Sequence, residues 1–282
     1  MAQEHIFFSS GDESFLLEHA RRSSSFSMPS CHYHNRFEIY YLVSGKRNYF
    51  IRDRVYPVSR GTLVLIGPNE LHKTTASEKT THERILIEFT PDFMKEFSSS
   101  IHDIDLYSIF EDIHVLSLEG VDKTSVENLM YKLVQESKAK ESGFDTATRV
   151  IFIELLINIA RCLSRTKNIT FEHPTQLHEK MSEITKYINM NYMQPLSLEE
   201  LSGKFYISRF YLCRVFKEIT GFSYNEYLNS VRIRETMRLL KETRLAICDI
   251  AGRVGYDSST HFGRVFKGIT GYSPVQYRKM NL

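Results

Sequence analysis

Between Phe37 and Phe89 the apolar residues come in short runs or alternate with polar ones, at 37–43, 48–51, 62–66 and 84–89. Gly, Pro, Asn and charged residues separate the runs, and this pattern predicts an all-β region. Near Pro91 the period lengthens. Residues 92–97 and 124–138 then read as helices, the second opened by the capping-box pattern Thr124-x-x-Glu127. A third helix is predicted over 146–165, where Glu154, Asn158, Arg161 and Arg165 form a polar stripe and nearly every other position from 150 to 163 is apolar. So wide an apolar arc has to be covered from two sides. One cover is the β-body; the other is either a second subunit or more of the same chain.

Residues 166–176 are polar, include Pro174 and read as a linker. Beyond them every periodic segment is helical, over about 177–192, 198–204, 209–219, 224–241, 247–253, 259–269 and 274–279. Caps punctuate the series. Ser197-x-x-Glu200 and Ser223-x-x-Glu226 are capping boxes, Ser208 and either Asp257 or Ser258 are N-cap residues, Pro274 follows Ser273 in a first turn, and Gly221 and Gly271 follow helix ends. The divisions expected are therefore a first domain over 1–165, a linker over 166–176 and a helical domain over 177–282.

With 282 residues, 42% of them hydrophobic, 12% aromatic and 25% charged, the chain has material for about two globular domains. Disordered, collagen-like and membrane classes are excluded, because the most apolar stretch, 150–162, is short and broken by polar residues. Glu4, Asp12, Glu13 and Glu18 interrupt the first twenty residues, which argues against a secretory signal and for the cytoplasm. Cys31, Cys162, Cys213 and Cys248 are scattered with no CxxC pair, so neither a disulfide framework nor a structural zinc site is expected. The charge is uneven. Residues 177–282 carry sixteen Lys and Arg against ten Asp and Glu, a net +6, whereas residues 1–176 carry −4. An acidic body with a basic end suggests a polyanion-binding module joined to something with another task.

An internal repeat sharpens that picture. Arg214-Val-Phe-Lys-Glu-Ile-Thr-Gly-Phe-Ser223 recurs fifty residues later as Arg264-Val-Phe-Lys-Gly-Ile-Thr-Gly-Tyr-Ser273, with eight of ten positions identical. Upstream, Leu198-Glu-Glu-Leu201-Ser-Gly-Lys matches Ile247-Cys-Asp-Ile250-Ala-Gly-Arg, and Gly255 reads as a one-residue insertion in the second copy. Each copy is a short helix, a tight turn and a longer basic helix, the layout of a helix-turn-helix. Leu212, Val215, Phe216 and Ile219, repeated as Phe262, Val265, Phe266 and Ile269, have core spacing. Arg209, Phe210, Cys213, Arg214 and Lys217 fall on the other face, as do Ser259, Thr260, His261, Gly263, Arg264 and Lys267 in the second copy. Arginine forks suit guanine edges and Phe210 a thymine methyl, while Lys217 and Lys267 suit phosphates. Surface ion pairing is the alternative use of Arg214 and Arg264. The helix between the copies, about 27 Å long, would let one chain enter two successive major-groove faces of double-stranded DNA, about 34 Å apart.

The stretch Ile250-Ala-Gly-Arg-Val-Gly-Tyr-Asp-Ser-Ser-Thr-His-Phe-Gly-Arg-Val-Phe-Lys-Gly-Ile-Thr-Gly-Tyr-Ser-Pro-Val-Gln-Tyr-Arg278 closely resembles the signature of the AraC/XylS family of bacterial transcriptional regulators. The likeness reaches back through Arg232-Ile-Arg-Glu-Thr-Met-Arg-Leu-Leu240 to about residue 177. It implies a DNA-binding domain of two helix-turn-helix units, with base contacts at Phe210, Cys213 and Arg214 and at Ser259, Thr260, His261, Gly263 and Arg264. Cys213 and Gly263 offer little hydrogen bonding there. RNA polymerase, a small-molecule effector and a second copy of the chain are the implied partners.

Further upstream, His32-x-His34-x3-Glu38-x6-Gly45 followed by 61–72 resembles the two motifs of the cupin barrel, which in metal-binding members supply three histidines and a carboxylate. The second motif departs from the pattern at Gly67, Asn69 and Ala76, though His72 stays in register. The parity of His32, His34 and Glu38 places them on one face if the strand begins that early. The fold class expected is α+β, a cupin-like β-barrel with a helical appendage followed by the all-α domain. Two functions fit. In the first, His32, His34, Glu38 and His72 line a cavity for a small polar effector such as a sugar, and the protein is a regulator without catalysis or an obligatory cofactor. In the second, the same four residues hold a divalent metal in an enzyme or metal sensor that carries a DNA-binding appendage.

Overall fold

The computed structural model describes residues 5–22, 34–76, 81–98, 101, 104–111, 115–165 and 175–280. The chain divides into two compact units, Met1–Ile51 with Tyr56–Glu172, and Arg52–Val55 with His173–Leu282.

Strands build the first. They are β1 (His5–Ser9), β2 (Phe15–Arg22), β3 (Phe37–Ser44), β4 (Lys46–Ile51), β5 (Arg54–Ser59), β6 (Thr62–Ile66), β7 (His72–Ala76), β8 (His82–Phe89) and β9 (Val115–Ser117). They form a six-stranded sheet in the order β1-β2-β8-β3-β6-β9 and a three-stranded sheet in the order β5-β4-β7. The sequence runs anticipated β3, β4, β6 and β8; β1, β2, β5, β7 and β9 are additions.

Strand parity assigns each face a task. On β3, Phe37, Ile39 and Tyr41 point to a core shared with the helices α1 (Pro91–Ser98), α2 (Gly120–Ala139) and α3 (Phe144–Arg165). Tyr40 and Leu42 point the other way and pack with Tyr49, Ile51 and Val58 of the smaller sheet. Both faces of β3 and β6 are thus covered, which is why these strands read as unbroken apolar runs rather than alternations. On the helical side Phe152 is fully buried, its ring 4.9 Å from Phe89, 5.2 Å from Phe15 and 5.9 Å from Phe93. Its neighbours on α3 use only part of the wide apolar arc: Ile153, Ile157, Ala160 and Leu163 stay half-buried and Val150 is exposed.

The start of α2 corrects the capping-box expectation. The helix begins four residues before Thr124, at Gly120, with Glu119 as an N-cap that makes no side-chain bond. The Thr124 hydroxyl donates back to the Gly120 carbonyl at 3.2 Å, and Glu127 accepts from the Tyr41 hydroxyl at 2.6 Å.

The second unit contains α4 (Gln176–Asn191), α5 (Leu198–Lys204), α6 (Arg209–Thr220), α7 (Tyr224–Glu242), α8 (Ile247–Arg253), α9 (Ser259–Thr270) and α10 (Pro274–Met280). Both anticipated capping boxes form, at Ser197 with Glu200 and at Ser223 with Glu226. Ser208 caps α6 and Ser258, not Asp257, caps α9, while Gly221 and Gly271 end those helices at φ +78° and +79°. No helix among the described residues is long and apolar enough to cross a membrane.

The backbone hydrogen bonds of the two turns correct their alignment. Gly255 (φ +90°) corresponds to Tyr206 (φ +52°), since Gly255 N donates to the Gly252 carbonyl as Tyr206 N does to that of Gly203. The next residues match as well: Ile207 N donates to Ser202 O and Tyr256 N to Ala251 O, so the added residue is Asp257. The cores also differ. Leu212, Val215, Phe216 and Ile219 are all buried, whereas in the second copy Phe262 and Phe266 are buried and Val265 and Ile269 only half so.

Candidate functional sites

The connecting helix α7 is keyed to the segment that precedes the first copy and to the turn within the second. The Tyr224 hydroxyl donates to the Leu196 carbonyl at 2.6 Å, and Arg232 donates from Nε to Tyr192 O at 2.9 Å and from Nη2 to Gln194 O at 3.0 Å. The Arg232 guanidinium lies 5.3 Å from the Tyr256 ring centroid, and the Tyr256 hydroxyl donates to Asn229 Oδ1 at 2.9 Å. With 19 residues α7 is about 28 Å long.

On α6 and α9 the two faces separate cleanly. Arg209, Phe210, Cys213, Arg214 and Lys217 are exposed, Phe210 to 86%, as are Ser259, Thr260, His261, Arg264 and Lys267, with Gly263 half-buried. Arg209 is ion-paired with Glu199. Arg214 stacks on Tyr211, its guanidinium carbon 5.3 Å from the ring centroid. Among the described residues neither Arg214 nor Arg264 has an ion pair.

In the first unit the enclosed face between the sheets is unexpectedly polar. His34 precedes β3 rather than lying in it, yet it meets Glu38 and His72: His34 Nε2 is 3.5 Å and His72 Nε2 3.3 Å from Glu38 Oε2. His32 lies outside the described residues. Each imidazole is oriented by its other nitrogen, which donates to a carbonyl, His34 Nδ1 to Arg36 O at 3.2 Å and His72 Nδ1 to Glu70 O at 2.9 Å. Tyr49 donates to Glu38 Oε1 at 2.5 Å. Burial works against the Glu38 charge, but His72 and His34 outweigh it and hold the carboxyl well below its usual range. Burial likewise opposes protonation of His72, and Glu38 overrides it to raise the imidazole pKa. Across the sheet Glu88 pairs with Glu38 in register, and burial followed by the Glu38 charge raises its pKa.

The three groups fit a divalent cation: the ligating atoms lie within 4.8 Å of one another, and both Nε2 atoms are buried without a hydrogen-bond partner. Carbonyl-bound Nδ1–H leaves Nε2 a lone pair aimed at the carboxylate, which is unfavourable unless a proton or cation intervenes.

Two residues further along β3 and β8 come Tyr40 and Leu86, and two further still Leu42 and Arg84. Around this opposite end gather Arg84, Arg47 on β4, and Arg22 and Glu18 on β2, with His82. Glu18 pairs with both Arg84, at 2.5 Å, and Arg22. Arg47 is 2% exposed, and burial lowers its pKa. Burial, then Arg47, Arg84 and Arg22, pushes His82 down to about 4. Tyr40 is pushed up to about 12, chiefly by burial. The cupin motifs did not point to Tyr40, Arg47, His82, Arg84 or Glu88. The signal was the alternation His82-x-Arg84-x-Leu86-x-Glu88 against Ile85, Ile87 and Phe89 in a strand whose apolar face is already buried.

Comparison with known proteins agrees with both halves. The family model of the AraC-like ligand binding domain matches residues 17–156, and that of a helix-turn-helix domain matches residues 201–280. The chain belongs to the AraC family of transcriptional regulators. It is similar to the HTH-type transcriptional regulator YfiF of Bacillus subtilis (strain 168), 26% identical over 95% of this chain and 85% of that one. Another relative, the HTH-type transcriptional activator RhaR of Mannheimia succiniciproducens, is 23% identical over 97% of this chain and 95% of its own. Among solved structures, the C-terminal domain of AraT, a response regulator from Geobacillus stearothermophilus, is 34% identical over 38% of this chain and 90% of that domain, with a TM-score of 0.37. ToxT from Vibrio cholerae O395 is 18% identical over 95% of this chain and 98% of its own, with a TM-score of 0.38. This AraC-family chain is therefore a transcriptional regulator with a helix-turn-helix DNA-binding domain and a ligand-binding domain.

Proposed function

We propose that this regulator reads an asymmetric duplex site with α6 and α9 in successive major grooves, Arg214 and Arg264 contacting bases and Lys217 and Lys267 contacting phosphates. The observation that carries this reading is that Arg214 and Arg264 occupy the same position in both copies, exposed and without ion pairs among the described residues. Phe210 and Cys213, with Ser259, Thr260, His261 and Gly263, complete the reading faces, and Arg209 serves at the edge, tethered to Glu199. The bonds from α7 to Leu196, Tyr192 and Gln194 support a fixed spacing between the two heads.

The effector occupies the polar interior of the barrel, where His34, Glu38 and His72 converge with Tyr49, and differential affinity for two conformations is the means by which it acts. The half-buried apolar positions of α3 are the surface through which two copies pair. The protein acts as an activator, as the name of the RhaR relative suggests; it works in the cytoplasm, with RNA polymerase as a partner, and catalyses no reaction.

The test is quantitative binding to a selected genomic fragment and to random DNA. Arg214→Ala and Arg264→Ala should each cost about 1–3 kcal/mol on the specific fragment and little on random DNA. Lys217→Ala should weaken both and reduce the slope of log affinity against log salt by about 1. Equal losses on both DNAs for the arginines would overturn the base-reading assignment.

One observation favours a second reading of the barrel, a divalent metal held by His34, Glu38 and His72: both Nε2 atoms are buried, oriented and unbonded. A cation there would offer open coordination to an effector hydroxyl or carboxylate. Metal analysis of chelator-free protein decides it. Stoichiometric metal lost in His34→Ala supports this reading, and no metal in the parent refutes it.

A further inference from the structure

Resting on the reading that Arg214 contacts bases, we infer that Tyr211 is a positioning residue of the first head: its ring presents the Arg214 guanidinium to the duplex, and the second head lacks the counterpart. Tyr211 and Arg214 are three residues apart on α6, so their side chains share one face of the helix. The guanidinium carbon stands 5.3 Å from the ring centroid, within range of a cation–π contact. A rival partner is within helical reach. Glu218 follows Arg214 at the i,i+4 spacing of an ion pair, yet among the described residues Arg214 makes no salt bridge. The choice between ring and carboxylate decides what the arginine can still do. A carboxylate would occupy the edge of the guanidinium, where the N–H donors that guanine O6 and N7 accept from are found. A ring engages the flat of the guanidinium and leaves that edge open. The direction differs too. Tyr211 lies toward the N-terminus of α6, the end of a recognition helix that contacts base edges, whereas Glu218 lies toward the other end.

The second copy is built differently at the same positions. His261 stands where Tyr211 does and Gly268 where Glu218 does. The His261 ring packs against Tyr256 instead, the centroids 5.6 Å apart at an interplanar angle of 71°. Among the described residues no aromatic ring lies under the Arg264 guanidinium. Ordering a free arginine on binding costs affinity, and a guanidinium already seated on a ring is spared part of that cost. Arg214 therefore meets its base pair prepared, and Arg264 does not. The consequence is an operator in which the base pair under Arg214 is read more strictly than the one under Arg264.

The experiment is competition binding of the full chain to the selected genomic fragment and to its single base-pair variants. Arg214→Ala and Arg264→Ala first locate the two base pairs, as the positions where each removes discrimination. Tyr211→Leu should then lower discrimination at the Arg214 base pair by about threefold or more, as loss of the cation–π contact and of its ordering implies. Discrimination at the Arg264 base pair and affinity for random DNA should stay at the parent's level, which reports that the variant is folded. Tyr211→Gln, a second helix-compatible residue without a ring, should lose as much. Tyr211→Phe keeps the ring face and should match the parent within about twofold. Placed in the Arg214→Ala chain, Tyr211→Leu should change nothing further, the signature of one residue acting through another. A loss of the same size with and without Arg214, or Tyr211→Phe as weak as Tyr211→Leu, would reveal a contact of Tyr211 itself with DNA and overturn the inference; unaltered discrimination in Tyr211→Leu and Tyr211→Gln would overturn it as well, with the base-reading assignment intact. If Arg214→Ala removes discrimination at no base pair, that assignment fails and the inference falls with it.

Discussion

Replacing Gly255 with alanine tests the joint between α7 and the second helix-turn-helix. An alanine Cβ there would stand 2.9 Å from three atoms: Tyr192 O, Met193 O and Arg232 Nη2. None can retreat cheaply, because the Tyr192 carbonyl accepts from Arg232 Nε at 2.9 Å and the same guanidinium donates to Gln194 O at 3.0 Å. The left-handed conformation at φ +90° costs a residue with a Cβ about 1–2 kcal/mol, and overpacking adds about 1–3 kcal/mol. The sum is about 2–5 kcal/mol, which for a helical domain of this size lowers the melting temperature by about 10–25 °C. Tyr206 provides the internal control. It occupies the same turn position at φ +52° but is 94% exposed, so Tyr206→Gly relieves backbone strain without losing packing and should change stability by no more than about 1 kcal/mol. Thermal unfolding of the full chain, followed by its helical circular dichroism with and without target DNA, reads both. If Gly255→Ala melts with the parent, the close approach of Arg232 and the carbonyls is not what fixes this turn.

Acid should weaken the barrel through His82. Its folded pKa of about 4 lies below the unfolded value, so between about pH 6.5 and 4 the unfolded chain binds more protons and stability falls with pH. The loss is at most about 3 kcal/mol, less with solvent screening, and His82→Asn should flatten it in denaturation midpoints measured from pH 7 to 4. Phe152→Ala removes a fully buried ring from the aromatic cluster and should cost about 3–5 kcal/mol by urea denaturation; a loss under 1 kcal/mol would show that the cluster collapses around the void. Ser197→Ala breaks the α5 capping box and should destabilise the first helix-turn-helix by about 1 kcal/mol, with the target sequence preference unchanged.

The helical half was almost wholly legible, because its punctuation is local. Ser197, Ser208, Ser223, Gly221 and Gly271 act within a turn of their own positions, so the sequence pattern and the hydrogen bonds coincide. Where the pattern misled, a non-local partner or an unusual backbone had taken over. Thr124 and Glu127 have capping-box spacing, yet Glu127 is engaged by Tyr41, 86 residues away in sequence. Gly255 looked like an insertion because nothing about a tyrosine announces the left-handed conformation that Tyr206 adopts in the equivalent turn. In the barrel, β2 and β7 escaped notice since Glu18, Arg22, His72 and Thr74 turn charge and polarity inward, reversing the usual sense of strand alternation. The Glu38–His72 pairing was legible from motif spacing; the guanidinium end was not, since its members come from three strands far apart in the chain.

Half-burial of Val265 and Ile269, where Val215 and Ile219 are sealed, leaves the two copies with unequal reserves against local opening. Amide hydrogens of α9 should exchange sooner than those of α6. On a promoter the leading copy would then behave as the anchor, and the trailing one as the grip that loosens first, so that partial occupancy of an operator begins and ends at the half beneath α6.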